Sequence, residues 1–91
     1  MSKIGNKGIP LVMVEWEDSA RPLPEWQHLG DLQINGPVQC ASVGWLLEDG
    51  EKKVLAPNMG NIEDEHSIQA CGVIQIPSRA VIRIVTLEET A

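Results

Sequence analysis

The clearest pattern of hydrophobic and polar positions lies in the last third of the chain. Two β-branched runs, VIQI at residues 73–76 and VIRIVTL at 81–87, flank the corner Pro77-Ser78-Arg79-Ala80. β-Branched residues pack well on the pleated surface of a sheet. The pattern therefore predicts a strand, a single tight helical turn and a closing strand.

Three further apolar segments have strand character and are separated by turn residues. Asp49-Gly50 is a hairpin turn signal, while Gly44 and Gly72 lie inside strand segments, where glycine predicts a bulge or bend. Residues 58–66 are expected to form a polar loop. The predicted strands are residues 9–16, 37–48, 53–57, 67–76 and 81–87.

Residues 17–36 form the longest irregular stretch. Within it, residues 23–29 predict one or two helical turns, because Pro24 lies near the start and Gly30 just past the end. Trp26 and Leu29 are three residues apart, and both are expected to face the core. The fold class predicted is all-β: a single five-stranded, strongly bent antiparallel barrel with one short helical segment in its first long loop. Residues 1–8 are expected to be a flexible leader, 9–87 the domain and 88–91 a tail.

Three segments carry a resemblance to the Sm-like family of small β-barrels: the bent strand SVGWLLEDG, the hairpin into KKVLAPN and the corner IPSRAVIRI. The sequence pattern VEWEDS…SVGWLLED…VLAPN…CGVIQIPSRAVIRI also resembles uncharacterised bacteriophage and prophage proteins. The first resemblance implies a barrel that often assembles into rings through its outer strands. Its uridine-binding role does not carry over, because Ala70-Cys71-Gly72 lacks the basic residue that precedes this glycine in RNA-binding members.

Size and charge narrow the function classes. The 91 residues carry a formal net charge of -6, with seven Lys and Arg and no Phe or Tyr. Nucleic-acid binding is disfavoured, because it draws most of its affinity from basic residues. A chain this short buries a small core, so we expect a homo-oligomer, with the exposed edges at residues 9–14 and 82–87 pairing with neighbouring copies.

The cysteines and the hydropathy indicate a cytoplasmic protein, in the host cytoplasm if it is phage-encoded. Cys40 and Cys71 are isolated thiols, which suits a reducing compartment. A disulfide between them stays open as an alternative, since both fall in predicted strands. No apolar run approaches the roughly 20 residues that span a bilayer, so no membrane partner is expected.

The residues that could act in catalysis or bind a metal are explained more simply as structural or solvent-exposed groups. Residues 63–66 (EDEH) contain metal-ligand side chains but fit a solvated acidic loop. Glu15 and Glu17 should share one strand face, with Trp16 on the other, and fit a charged edge. The two thiols have no neighbouring base or helix N-terminus to activate them. We therefore predict no enzyme activity, no catalytic residue, no metal and no cofactor.

Three tryptophans, three arginines and two loop asparagines remain to be considered as binding residues. Trp45 is the best core candidate, whereas Trp16 and Trp26 lie beside polar loops where an indole can stack on a ligand. Core packing is the alternative for Trp26. Arg83 is expected to share a strand face with Val81 and Val85 and to form an ion pair. The candidate ligand-binding set is Trp16, Arg21, Trp26, Asn58, Asn61 and Arg79.

These observations lead to three functional hypotheses. The first is a non-enzymatic phage accessory protein whose homo-oligomer sequesters a small anionic, nucleotide-like ligand of host defence at subunit boundaries. The second is an acidic interaction module that mimics nucleic acid and blocks a basic host protein surface. The third, an RNA-binding Sm-like ring, requires a basic pore or face.

Overall fold

The computed structural model of the chain describes residues 8–19, 25–32 and 36–90. The fold is all-β, and the described helical segments are two single 3₁₀ turns, Leu29–Asp31 and Ser78–Ala80, the second of which we call the corner turn. The strands are β1 (Leu11–Asp18), β2 (Val38–Asp49), β3 (Lys52–Ala56), β4 (Asn58–Gly60), β5 (Gln69–Cys71), β6 (Ile74–Pro77) and β7 (Val81–Leu87).

Five strands form one antiparallel sheet in the order β6-β3-β2-β1-β7, and β4 pairs with β5 in a separate hairpin. The predicted five-stranded antiparallel sheet is therefore confirmed. The predicted barrel closure is not, because within the described residues no ladder joins β6 to β7 and both remain edge strands. The prediction that the first strand is an edge is also wrong, since β1 pairs with β2 on one side and β7 on the other.

The core lies on one face of this sheet, which we call the inner face. Val12 and Val14 of β1 pack with Leu55 of β3 and Ile76 of β6, and all four are buried. Alternation along β1 also places Trp16 on the inner face, where it packs against this cluster. Trp45, predicted to be the core tryptophan, instead pairs with Leu11 on the opposite, outer face and is half-buried.

The predicted fourth strand is divided in two. Gly72 has a φ of 76°, a left-handed conformation that glycine adopts without steric cost, and it separates β5 from β6. As a result β5 leaves the main sheet and pairs with β4. The expected polar loop at 58–66 thus begins as a strand, which pattern analysis missed because Asn58, Met59 and Gly60 have low strand propensity.

The first long connection differs from the prediction. Its described helical turn is Leu29–Asp31, so Gly30 lies inside the turn rather than after its end. Trp26 is as exposed as in an extended peptide, at 104%, and Leu29 is 86% exposed, so neither faces the core. Residues 23 and 24 of the predicted helical segment lie outside the described residues.

The bend in β2 lies three residues beyond the glycine expected to produce it. The register between β2 and β3 shifts between Leu46 and Glu48, whereas Gly44 pairs regularly with Val12. A Cβ at Gly44 would lie 3.0 Å from the Ala56 carbonyl oxygen. The glycine is therefore required by the close approach of the β3 backbone, and not by a bulge.

Cys40 of β2 and Cys71 of β5 are free thiols on different sheets, so the open alternative of a disulfide is not realised. Over the described part of the chain, the longest helical segment is far too short to cross a membrane.

We predict that Gly44→Ala lowers the free energy of unfolding by about 1–3 kcal/mol, because the new methyl group meets backbone atoms that cannot rotate away. Gly60→Ala is the matched control, since a Cβ there has no atom within 4 Å. Urea unfolding followed by circular dichroism measures both variants. Equal stability of the two would contradict the close approach at Gly44.

Candidate functional site

A groove that contains one predicted site residue, Arg79, lies at the corner turn. It has a volume of about 470 Å³ and is lined by Glu51, Pro77, Ser78 and Arg79. The corner turn is fixed to the β2–β3 hairpin by two hydrogen bonds from Ser78. Its backbone N–H donates to the Glu51 carbonyl oxygen at 2.9 Å, and its Oγ donates to the Gly50 carbonyl oxygen at 2.5 Å. We call this feature the corner groove.

The corner groove places one cationic side chain, Arg79, beside one carboxylate, Glu51. Arg79 is exposed and makes no ion pair with any described residue. Lys52, next to Glu51 in the sequence, lies opposite Pro77 in the β3–β6 ladder, where its Nζ donates to the Gln75 side-chain oxygen at 2.8 Å. Because a guanidinium has five donors in a planar fork, Arg79 can bind a carboxylate or phosphate group here.

Trp16 does not form part of this groove. Its indole packs against the buried cluster on the inner face, and Nε1 donates to Ser42 Oγ at 3.1 Å. The hydrogen bond satisfies the polar atom of a part-buried tryptophan. Trp16 is therefore a structural residue of the core, opposite to its predicted role as a ligand-stacking surface.

Asn58 and Asn61 belong to the β4–β5 hairpin and the loop that connects its strands. Asn58 Nδ2 donates to the Cys71 carbonyl oxygen at 3.4 Å, and Asn61 Nδ2 lies 3.5 Å from both oxygens of Ser67. Asn61 also has a φ of 56°, which asparagine tolerates better than most residues. Both side chains thus stabilise local backbone.

The predicted site residues are therefore not gathered into one cluster. Arg79 alone lines the corner groove, Trp16 is packed into the core and the two asparagines support a hairpin. Trp26 lies on the exposed segment 25–32, and Arg21 lies outside the described residues. Pattern analysis missed Glu51 and Ser78. Glu51 comes close to Arg79 because the corner turn is hydrogen-bonded to the β2–β3 hairpin through Ser78, which precedes Arg79 in the sequence. The hairpin signal Asp49-Gly50 beside Glu51 was the available clue.

The carboxylates singled out from sequence have structural partners. Glu15 and Glu17 share the outer face, as predicted, and Arg83 Nη2 donates to Glu15 Oε1 at 2.9 Å. This hydrogen bond, together with the charge attraction, raises the pKa of Arg83 above its ordinary value. The ion pair was predicted to lie either within the chain or between subunits, and the structure shows it within the chain. A bulge after Glu15 shifts the β7 register, so Arg83 shares its face with Val85 and not with Val81.

The acidic loop is held by its own turn hydrogen bonds. Asp64 accepts from Ser67 Oγ at 2.6 Å and from the His66 backbone N–H at 3.1 Å, while Glu63 and Glu65 are exposed. Within residues 8–19, 25–32 and 36–90, no group of three or more His, Cys, Asp or Glu side chains converges as a metal site would require.

Comparison of the chain with protein-family models, with curated proteins and with solved structures gives no match.

We predict that Ser42→Ala lowers the free energy of unfolding by about 1 kcal/mol, because it leaves the Trp16 indole N–H without its acceptor. In a Trp16→Phe background the same serine substitution should have a much smaller effect, since no N–H remains to be satisfied. A double-mutant cycle by urea unfolding measures this coupling. Equal effects in the two backgrounds would contradict a structural hydrogen bond at this position.

Proposed function

We propose that the chain is a non-enzymatic binding protein that assembles from several copies and holds a small anionic ligand at the subunit boundary. The observation that carries the proposal is the imbalance between buried and exposed apolar side chains. Among the described residues, only five hydrophobic residues are buried, whereas eight large hydrophobic residues are exposed. Burial of such a small set stabilises a domain weakly, and self-association offsets this deficit.

The two free edges of the main sheet support the proposed assembly. β7 is an edge strand that exposes Ile82 at 54% and Ile84 at 40%. β6 is the opposite edge of the same sheet. An exposed edge presents unpaired N–H and C=O groups that pair readily with another chain. Because the two edges differ, β6 of one copy pairing with β7 of the next would be a head-to-tail contact, and such contacts generate rings when the rotation closes.

A Sm-like relationship forms part of the proposal. The three segments that carry the resemblance have matching local structure: β2 is long and irregular near its end, a tight hairpin leads into β3, and a one-turn helix joins β6 to β7. We propose that pairing between neighbouring copies draws the open sheet toward a more strongly curved, Sm-like form.

The corner groove supports the choice of ligand. The corner turn directly connects β6 to β7, so the groove lies next to both edges proposed to form the boundary. Arg79 supplies a cation that has no ion-pair partner among the described residues. The hydroxyl in the groove, that of Ser78, is used in a hydrogen bond to Gly50. These features favour holding a small anion over transforming it, and a nucleotide-like ligand of host defence fits this chemistry.

The alternative function, an acidic module that covers a basic host protein, is favoured by a different observation. Glu17 and Asp18 at the end of β1 are exposed, as are Glu63 and Glu65 in the acidic loop, and the chain carries a net charge of -6. This function predicts a host partner whose binding weakens steeply as salt rises.

We predict that Ile82→Lys reduces the assembly to smaller species, because a lysine on an edge strand opposes pairing with another chain. Val38→Lys is the matched control, since Val38 is similarly exposed at 51% but lies on β2, which is adjacent to neither β6 nor β7 in the strand order. Sedimentation velocity measures both. Loss of assembly in the control alone, or a monomeric parent protein, would contradict edge pairing.

We predict that native mass spectrometry of protein purified gently from host cells shows an oligomer with a fixed additional mass per boundary. Arg79→Ala should remove the additional mass while leaving the oligomer, because the groove loses its cation. Arg83→Ala is the control: it removes the same charge from the outer face and should retain the ligand.

An oligomer without additional mass, which also binds no member of a nucleotide panel, would contradict ligand sequestration. In that case, capture of a basic host protein that weakens as salt rises would support the acidic module. RNA that is retained by the parent protein and lost from the Arg79→Ala, Arg83→Ala double variant would support the RNA-binding ring.

A further inference from the structure

The outer face of the main sheet carries an apolar patch built by strand register. Trp45, Leu11 and Leu87 lie side by side in one row across β2, β1 and β7. Val43, Met13 and Val85 form the next row, and the Glu15–Arg83 ion pair lies in the row beyond. We call the first two rows the outer patch: Leu11, Met13, Val43, Trp45, Val85 and Leu87.

Among the described elements, the corner turn makes the main contacts with the sheet besides the strand ladders, and its Ala80 packs on the inner face rather than on the outer patch. Ala56 of β3, which continues the Trp45 row, is buried. Val43 at the centre of its strand is 51% exposed, and its five patch neighbours are half-buried. A contiguous apolar surface of this kind, bordered by charges, marks an interaction site.

The same chain holds apolar side chains that are almost fully exposed. We call residues 25–32 the arm. Its described backbone hydrogen bonds are local, from Asp31 to His28 and from Leu32 to Leu29. Trp26 is 104% exposed and Leu29 is 86% exposed.

We propose that the arm of one copy docks on the outer patch of a second copy, with Trp26 as the anchor, and that the exchange is reciprocal. The inference rests on the proposed self-association and specifies one of its contacts, distinct from pairing of the free edges. The segment that docks on the patch comes from a second copy of the chain. The patch is an exposed apolar surface, and the arm supplies an exposed apolar side chain that can cover it. A tryptophan surrounded by aliphatic side chains is the usual composition of a binding hot spot.

The area involved is sufficient for a stable contact. A buried tryptophan removes about 150–250 Å² from solvent, and the surface that receives it loses a similar area. With Leu29 included, two reciprocal arms reach roughly 1,200 Å² in total, which is the lower limit of stable interfaces. A single unreciprocated arm would fall well below that limit, which is why the proposal specifies a symmetric exchange.

The first test compares assembly size by native mass spectrometry and sedimentation. We expect Trp26→Ala to shift the apparent dissociation constant at least tenfold toward smaller species without changing the circular dichroism spectrum, since the Trp26 side chain is fully exposed. Gln27→Ala, a neighbouring exposed arm residue, should leave assembly unchanged. Val43→Glu, on the receiving surface, should reproduce the effect of Trp26→Ala.

The outcomes separate this inference from the proposed function. A monomeric parent protein would overturn both self-association and arm exchange. A parent oligomer that Trp26→Ala and Val43→Glu leave intact would overturn arm exchange alone, since edge pairing would then be sufficient.

A second test distinguishes docking between copies from docking within one. In a background with Cys40 and Cys71 replaced by Ser, we expect a Gln27→Cys protein mixed with an isotope-labelled Ala41→Cys protein to form disulfide-linked heterodimers under mild oxidation. Ala41 lies on the outer face of β2 opposite Glu15, in the row next to that of Val43. A Gln27→Cys with Val73→Cys pair is the control for random collision. Absence of the heterodimer, or an exclusively intrachain link in a chain carrying both Gln27→Cys and Ala41→Cys, would overturn the exchange.

Discussion

The structure depends on the position of β1 between β2 and β7. Hydrogen bonding along both edges of this strand brings the N-terminal and C-terminal thirds of the chain into one sheet. Because side chains alternate along a strand, one element supplies both surfaces. Val12 and Val14 form the centre of the core, while Leu11 and Met13 form the centre of the outer patch. Displacing β1 by one residue would exchange the two sets.

The position of β1 between β2 and β7 also determines which strands are left as edges. Because β1, β2 and β3 each have two neighbouring strands, β6 and β7 are the end strands of the main sheet. These two strands are consecutive in sequence, and the corner turn that joins them carries Arg79. The proposed boundary and the proposed ligand groove are therefore consequences of one topology. A chain with so few buried side chains has its interaction surfaces close to its core, since the same strands form both.

The elements recovered from sequence are those with a strong local pattern. β7 was predicted at its observed bounds because VIRIVTL follows a Pro-Ser-Arg corner, and the hairpin at Asp49-Gly50 followed from its turn residues. The failures are equally specific. Trp45 was assigned to the core by size and strand propensity, but propensity does not reveal which face of a strand is inner. That choice depends on the register with Leu11 and on the bulge at Leu46–Glu48.

The candidate site was less predictable than the fold. Arg79 was identified because a charged corner residue is evident from sequence, whereas Glu51 joins it only through the hydrogen bonds that Ser78 makes between the corner turn and the β2–β3 hairpin. Asn58 and Asn61 had the polar character of ligand-binding residues, yet their amides stabilise a hairpin that Gly72 creates by its left-handed conformation. A polar side chain in a loop has the same appearance in sequence whether it binds a ligand or its own backbone.

The sequence by itself determined the all-β class, the antiparallel sheet and the tight turns, because β-branched alternation and turn residues act over a few neighbouring positions. The tertiary structure alone decided that the described sheet stays open, that Trp16 packs against the core while Trp26 is exposed, and that the described strands place an apolar patch on the outer face. These outcomes depend on pairing between segments far apart in the chain. Such pairing is set by the sum of many weak contacts, and it cannot be predicted from any short segment of the sequence.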